Sequence, residues 1–431
     1  MPRRKDKISV ITLGCPKNIV DSEILIKQLE KNNFHYTSEH EKSDIVVINT
    51  CGFIQDAKQE SIDTILQAVE LKNLGRLKKV VVMGCLSERY AEQLKQEIPE
   101  IDFCIGVNKL DKVIGTLGGK YKYELLGERY LTTPNHYAYL KISEGCDRLC
   151  SFCSIPLIRG KHVSRPIEEI IHEAEKLSEI GVKELNLIAQ DITYYGLDLY
   201  GKRTLSNLIE KLSAVNGIEW IRVLYAFPSD FPFDLIEQYK HNPKLCRYLD
   251  LPLQHISDNV LSSMYRGINS HKVRALISKI RDNVPEIALR TTLIVGYPNE
   301  GEKEFEELLN FVEETQFERL GVFTYSHEDG TAAYKLGDPV QPEIKEERRN
   351  IIMESQIDIS LHKNKQKIGG KLKVLIDKKD HKIAFGRSEW DAPEIDNEVL
   401  INSSRDIEPG QFYDINIVDA REFSLIGVPV K

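Results

Sequence analysis

The chain has 431 residues, 41% of them apolar and 29% charged, with a formal net charge of −8. That length holds roughly two to four ordinary domains, and the composition is that of a soluble globular protein. The negative balance excludes a global basic field of the kind that recruits nucleic acid. The start, Met1-Pro-Arg-Arg-Lys, is basic, but the apolar run after it is too short for a signal peptide. No apolar run approaches the ~20 residues that span a bilayer, so a cytoplasmic protein with no membrane partner is expected. Eight cysteines in such a chain point to metal or redox chemistry rather than to disulfides.

Apolar runs alternate with helical spacing over residues 1–130. Residues 8–13, 44–49, 79–83 and 102–105 read as strands, and residues 20–31, 55–74 and 87–97 as helices. Short continuous apolar runs between helices imply a doubly wound parallel sheet covered on both faces. Cys15, Cys51 and Cys85 stand just past the first, second and third strands. Ligands bind at the carboxyl edge of an open α/β sheet, so three separate loops bring three thiols toward one point. The plainer alternative is three unrelated loop cysteines. Cys104 lies inside an apolar run and reads as core, as does Cys246.

Residues 132–365 carry six strand–helix units. The strands lie near 137–142, 184–189, 220–225, 247–251, 287–295 and 319–324, with helices such as 166–180 and 302–315 between them. Repeated βα units curl toward a partial (β/α)6 barrel whose active site lies on the loops at the carboxyl ends of its strands. Just past the first of these strands stands Glu144-Gly-Cys146-Asp-Arg-Leu-Cys150-Ser-Phe-Cys153. Three soft thiolates at Cys-x-x-x-Cys-x-x-Cys suit three irons of a 4Fe–4S cube and leave the fourth open for a ligand. Zinc sites and ordinary cluster carriers take four protein ligands, and the next cysteine is the distant Cys246. The histidines form no constellation, His255 reads as structural, and no Ser/His/Asp set or P-loop is present.

A long charged helix over residues 342–365 ends at Gly369-Gly370. Residues 366–431 then carry five short strand-like runs, near 371–376, 383–385, 398–401, 413–418 and 423–428, which suggest a small β-barrel. Between Arg387 and Glu422 stand three basic and ten acidic residues, a net of −7. Such a run repels phosphate and suits a basic protein partner, docking through Glu394, Asp396 and Glu398 among others. The plainer reading is an acidic surface kept for solubility.

The Cys146, Cys150 and Cys153 spacing, with Phe152 ahead of the last cysteine, resembles the signature of the radical S-adenosylmethionine (AdoMet) superfamily. The stretches from Cys15 to Glu23 and from Asn49 to Ser61, with Met83-Gly-Cys85, resemble the N-terminal domain of the methylthiotransferases. The last five strands resemble their TRAM domain. Beside Cys15 and Cys51, and from Gly386 to Asp396, the chain resembles the RimO-type branch, which modifies an aspartate of ribosomal protein S twelve, rather than the tRNA-modifying MiaB branch. The resemblance implies two 4Fe–4S clusters. One, on Cys146, Cys150 and Cys153, binds AdoMet; the other, on Cys15, Cys51 and Cys85, handles sulfur. It also implies an electron donor of flavodoxin or ferredoxin type and AdoMet contacts from Phe152, Gln190, Arg290 and Gly296. Phe152 would pack on the adenine and Gly296 would admit it to the backbone; taken alone, Gly296-Tyr-Pro is an ordinary loop breaker. No acid–base side chain is expected to drive the reaction, because the cofactors carry the difficult chemistry. Two readings compete. A tRNA adenosine methylthiotransferase would bind bare tRNA, and an iron–sulfur electron carrier or scaffold would have no reason to cleave AdoMet.

Overall fold

The computed structural model describes residues 6–402 and 407–430. The N-terminal sheet contains β1 (Lys7–Thr12), β2 (His35–Tyr36), β3 (Ile45–Thr50), β4 (Lys79–Gly84) and β5 (Phe103–Ile105). All pairs are parallel and the order is β2-β1-β3-β4-β5. Side chains alternate between its two faces. Ile8, Val10, Val47 and Val81 pack under the helix Pro16–Lys31, while Val46, Ile48, Val80 and Val82 pack under the helix Gln55–Asn73. With helices on both faces no strand side is wetted, which is why β3 is buried throughout. The strand order reverses between β1 and β3, the switch point at which ligands bind in such sheets.

The central sheet is assembled from β6 (Tyr137–Lys141), β9 (Glu184–Ile188), β10 (Trp220–Val223), β11 (Leu245–Asp250), β12 (Ala288–Val295) and β13 (Arg319–Thr324). They lie in chain order, all parallel, as an open six-stranded half-barrel. Between β6 and β9 a two-residue antiparallel pair, β7 (Ser143–Glu144) with β8 (Val163–Ser164), closes off the three-cysteine loop. The outward faces, with Leu140, Leu187, Val223, Leu249 and Leu293, pack against the helices. The inward faces are largely polar or aromatic, with Tyr137, Glu184, Asn186, Arg222, Tyr248 and Arg290, so this hollow is lined for partners rather than filled as an apolar core.

The last five strands close into a barrel ordered β14-β15-β16-β18-β17, namely Lys371–Asp380, Ile383–Arg387, Glu398–Asn402, Phe412–Ala420 and Ser424–Pro429 for β14 to β18. The connection over residues 388–396 enters the amino end of the half-barrel. Arg319 pairs with Asp391, Tyr248 Oη donates to Asp396 Oδ2 at 2.7 Å, and Tyr137 Oη donates to Glu394 Oε1 at 2.9 Å. This corrects the acidic-dock expectation at two positions. Asp391 and Asp396 keep only 2% of their side chains exposed and are spent inside the molecule; Glu394, Glu398, Glu408, Asp414, Asp419 and Glu422 do face solvent, and Arg405 and Asp406 lie outside the described residues. Among the described residues no helix is long and apolar enough to cross a membrane.

Candidate active site

The N-terminal thiols sit where the sheet order reverses. Cys15 is the residue ahead of the helix Pro16–Lys31, whose first position is a proline already set to helical φ. Cys51 follows β3 directly, and Cys85 opens the helix Cys85–Glu97. Two of the three thus lie at helix amino termini, where unpaired N–H groups favour a thiolate. Gly14 (φ +85°) admits the close approach: a Cβ there would fall 2.7 Å from Cys51 Cβ. A Cβ on Gly52 would likewise fall 2.7 Å from Leu86 N, so the three loops are contiguous. Asn18 Nδ2 donates to Leu13 O at 2.8 Å and Thr50 O at 3.2 Å, tying the first loop to the second. Ser61 Oγ accepts from Cys51 N at 3.1 Å. Burial pushes the Cys51 thiol up and the Cys85 thiol up to about 12, with neighbouring thiolates adding to the rise and Arg159 opposing it.

The second set lies in the loop after β7. Ser151 N donates to Met264 O at 3.0 Å and Ser151 Oγ to Ser263 O at 2.7 Å, which pins the loop at its middle. Burial raises Cys146 to about 11 and Cys153 to about 12, and each feels the Cys150 charge. Arg266 Nη1 donates to Cys150 Sγ at 3.2 Å and Nη2 to Pro252 O at 2.5 Å.

Between the two sets runs a network the sequence did not announce. Arg159, just after the second set, donates to Cys85 Sγ at 3.7 Å, Asn18 Oδ1 at 2.7 Å and Glu144 Oε1 at 2.8 Å. Lys141 Nζ bridges Asp21 and Glu144 at 2.5 and 2.8 Å. Burial pushes the Glu144 carboxyl up, but Lys141 and Arg159 outweigh it and hold it well below the usual range. Gln190 Nε2, past the end of β9, donates to the same Glu144 Oε1 at 2.9 Å.

Of the four residues singled out for AdoMet, Gln190 stands at the mouth of the half-barrel with its Oε1 buried and unpartnered. Phe152 packs with Val260, Met264, Tyr297 and Tyr325. Arg290 lies in the amino-terminal half of β12, 3.1 Å from Asp250 and 3.5 Å from Asp396, so its charge is committed within the protein. Gly296 has φ +73°, and a Cβ there would strike the Lys345 side chain, so it is a close approach of protein to protein. His255 is buried against Glu300 at 3.2 Å, as a structural histidine should be. Cys104 packs with Ile62, Val82 and Leu94 on one face of the N-terminal sheet.

No three described His, Cys, Asp or Glu side chains gather as tightly as one metal ion requires. Ligands of one ion all reach a common point about 2.3 Å away, whereas each thiolate of a cube takes its own iron and stands wider apart. Buried, mutually repelling thiols flanked by Arg159 and Arg266 are a setting for thiolates neutralised by bound iron.

The three sequence segments match three family models: the uncharacterized protein family UPF0004 over residues 7–106, the radical SAM superfamily over 140–312 and the TRAM domain over 368–430. Among solved structures, the radical S-adenosylmethionine methyltransferase TsrM from Kitasatospora setae superposes with a TM-score of 0.55, at 11% identity over 88% of this chain and 79% of that one. The cobalamin-dependent S-adenosylmethionine radical enzyme OxsB gives 0.51 at 14% identity, over 81% of this chain and 56% of that one. These likenesses establish the fold, and with the superfamily match they define a radical AdoMet enzyme, a class that works with AdoMet and a 4Fe–4S cluster. The ribosomal protein uS12 methylthiotransferase RimO of Christiangramia forsetii is 55% identical over 99% of this chain and 95% of its own length. Those of Flavobacterium johnsoniae and Chloroherpeton thalassium are 53% and 51% identical, again over 99% of this chain and at least 98% of theirs. The chain belongs to the RimO family of methylthiotransferases.

Proposed function

We propose that this protein adds a methylthio group to the β-carbon of an aspartate in ribosomal protein uS12. The observation that carries the reading is the full-length identity to the RimO proteins, joined to a network that runs from Cys85 through Arg159 to Glu144, two residues ahead of Cys146. Cys146, Cys150 and Cys153 would hold the cluster that binds AdoMet, and Cys15, Cys51 and Cys85 a second 4Fe–4S cluster. When bound, these groups supply the electron, the C–H abstraction, the sulfur and the methyl group. The chain's own part is to hold the thiols in dry loops, to fix the two sets relative to each other through Arg159 and Glu144, and to shape the mouth with Gln190 and Phe152. Residues 1–130, 132–365 and 366–431 form the three working units. The eight free cysteines suit the reducing cytoplasm, where a flavodoxin or ferredoxin would supply electrons. The net negative charge disfavours tRNA as substrate.

Iron counting tests the cluster assignment. Anaerobically reconstituted protein should carry about eight irons, two cubes of four. Replacing Cys146, Cys150 and Cys153 by Ala should leave about half and abolish AdoMet cleavage. Replacing Cys15, Cys51 and Cys85 should leave about half and keep it. Full iron in the second triple variant would remove the N-terminal cluster from the proposal. Mass spectrometry of ribosomal proteins and tRNA from cells lacking the gene settles the substrate, since a methylthio group lost from tRNA would move the activity to the other branch.

A further inference from the structure

Lys17 lies two residues after Cys15 and is 7% exposed. Its ammonium sits 3.5 Å above the centre of the Tyr225 ring, at the carboxyl end of β10. Among the described residues, none accepts a hydrogen bond from it. The neighbouring carboxylates are already committed. Glu144 takes Lys141, Arg159 and Gln190. Asp250 Oδ1 takes Arg290 at 3.1 Å and its Oδ2 takes the Tyr225 N–H at 3.0 Å. Tyr225 is held at φ +63°, a costly conformation for a bulky residue, by that bond and by Ile192 N donating to its carbonyl at 3.1 Å. Strain retained there keeps the ring under Lys17. A buried cation with an aromatic ring on one side, the Cys15 thiolate as its strongest anionic neighbour and no hydrogen-bond acceptor among the described residues is incomplete, because an ammonium has three donors and burial makes each unmade bond costly.

We propose that Lys17 completes its bonding with the side-chain carboxylate of the substrate, and so selects an aspartate at the point where the N-terminal thiol loop meets the mouth of the half-barrel. The inference rests on the proposed function, which supplies a substrate whose reacting carbon bears a carboxylate. An ammonium–carboxylate contact aligns the adjacent carbon, and it rejects a neutral amide because a hydrogen bond to a charged group is the stronger kind. A nucleobase offers no carboxylate to this site.

The test measures binding of labelled ribosomal protein uS12 to the reconstituted holoenzyme under anaerobic conditions. The protein is used with its target aspartate, located by mass spectrometry, and with that aspartate changed to Asn. Wild-type enzyme should bind the aspartate form about tenfold or more tightly than the asparagine form. Lys17→Met, checked for wild-type iron content and circular dichroism, should bind both forms equally, and Lys17→Arg should restore part of the preference. A wild-type enzyme blind to the change, or a Lys17→Met enzyme that keeps the full preference, overturns the role of Lys17 while the proposed function stands. A Lys17→Met enzyme that keeps the preference but shows a shifted cluster potential assigns the ammonium to the cluster instead, and overturns it too. A wild-type enzyme that neither binds nor modifies uS12 overturns the proposed function along with it. The wild-type comparison needs no variant, so a misfolded Lys17→Met protein does not spare the idea.

Discussion

Arg159 touches both halves of the site, with one nitrogen on the Cys85 sulfur and Asn18 and the other on Glu144. Hydrogen bonds and positive charge at a cluster sulfur stabilise the more negative, reduced state and raise the potential. Arg159→Gln should therefore lower the midpoint potential of the N-terminal cluster by about 60 mV, the one-electron equivalent of a tenfold shift. Redox titration followed by electron paramagnetic resonance reads this without turnover, in protein whose Cys146, Cys150 and Cys153 are alanine. An unmoved potential would leave Arg159 as a packing residue only. The six thiols were legible in the sequence because strand ends and close spacing are local signals. Arg159 was not, because its partners Cys85, Asn18 and Asp21 lie 74 to 141 positions away in the chain. Arg290 shows the same limit from the other side. The family resemblance suggested a ligand contact for it, but packing pairs it with Asp250 and Asp396.

Strands and long helices came out of the apolar pattern with shifts of a few residues, and β13 and the helices Glu302–Thr315 and Pro342–Lys365 match it end to end. What the pattern missed are β2, β7 and β8, two residues each and too short for any period to show. The helix at Pro16 begins four residues before its apolar spacing does, because proline and Cys15 set its start rather than burial. The acidic run was read too uniformly for a physical reason: charge counted along a chain does not reveal which carboxylates meet buried arginines, as Asp391 and Asp396 do. Outside that run, Asp377 on β14 does the same. It accepts from Arg387 at 2.8 and 2.9 Å and pairs with His136 at 2.8 Å. Burial pushes its pKa up, but Arg387 and His136 outweigh that and hold it below the ordinary value. A folded pKa below the unfolded one contributes stability above the unfolded value, near 3.9, and loses it as pH falls through the folded value. Asp377→Asn should accordingly cost about 1–3 kcal/mol at pH 7, where Arg387 keeps Glu184 but loses its second carboxylate. The gap between the two proteins should begin to narrow below about pH 4 and close as pH falls through the folded value. Urea unfolding at pH 7 and pH 3 checks it, and a gap of equal size at both would remove the ion pair as its source.

At the scale of the whole molecule, the C-terminal barrel serves as the floor of the half-barrel. Phe412 packs edge-on to Trp220 with ring centres 4.8 Å apart, and Leu375 and Ala392 join Tyr137, Tyr248 and Ala288 in one buried cluster. The ion pairs follow the same seam. Glu184, wholly buried, takes both Arg222 at 3.0 Å and Arg387 at 2.7 Å, and Arg319 depends on Asp391. A barrel of parallel strands normally fills its interior with its own apolar side chains. Here the interior is left polar, and its lower end is satisfied by a segment from another part of the chain. Removing residues 366–431 would therefore do more than delete a binding module. It would open the aromatic cluster to water and leave Arg319 buried beside no carboxylate, and an unpaired buried charge alone costs about 3–5 kcal/mol. The shortened chain, reconstituted in the same way as the full one, should melt at a clearly lower temperature, bind a hydrophobic dye and lose iron from Cys146, Cys150 and Cys153 on mild heating. An independent appendage predicts the opposite, with melting and iron retention unchanged and only substrate binding lost. Differential scanning calorimetry with iron analysis before and after heating separates the two, and unchanged values would mean that the half-barrel holds its polar interior without the floor.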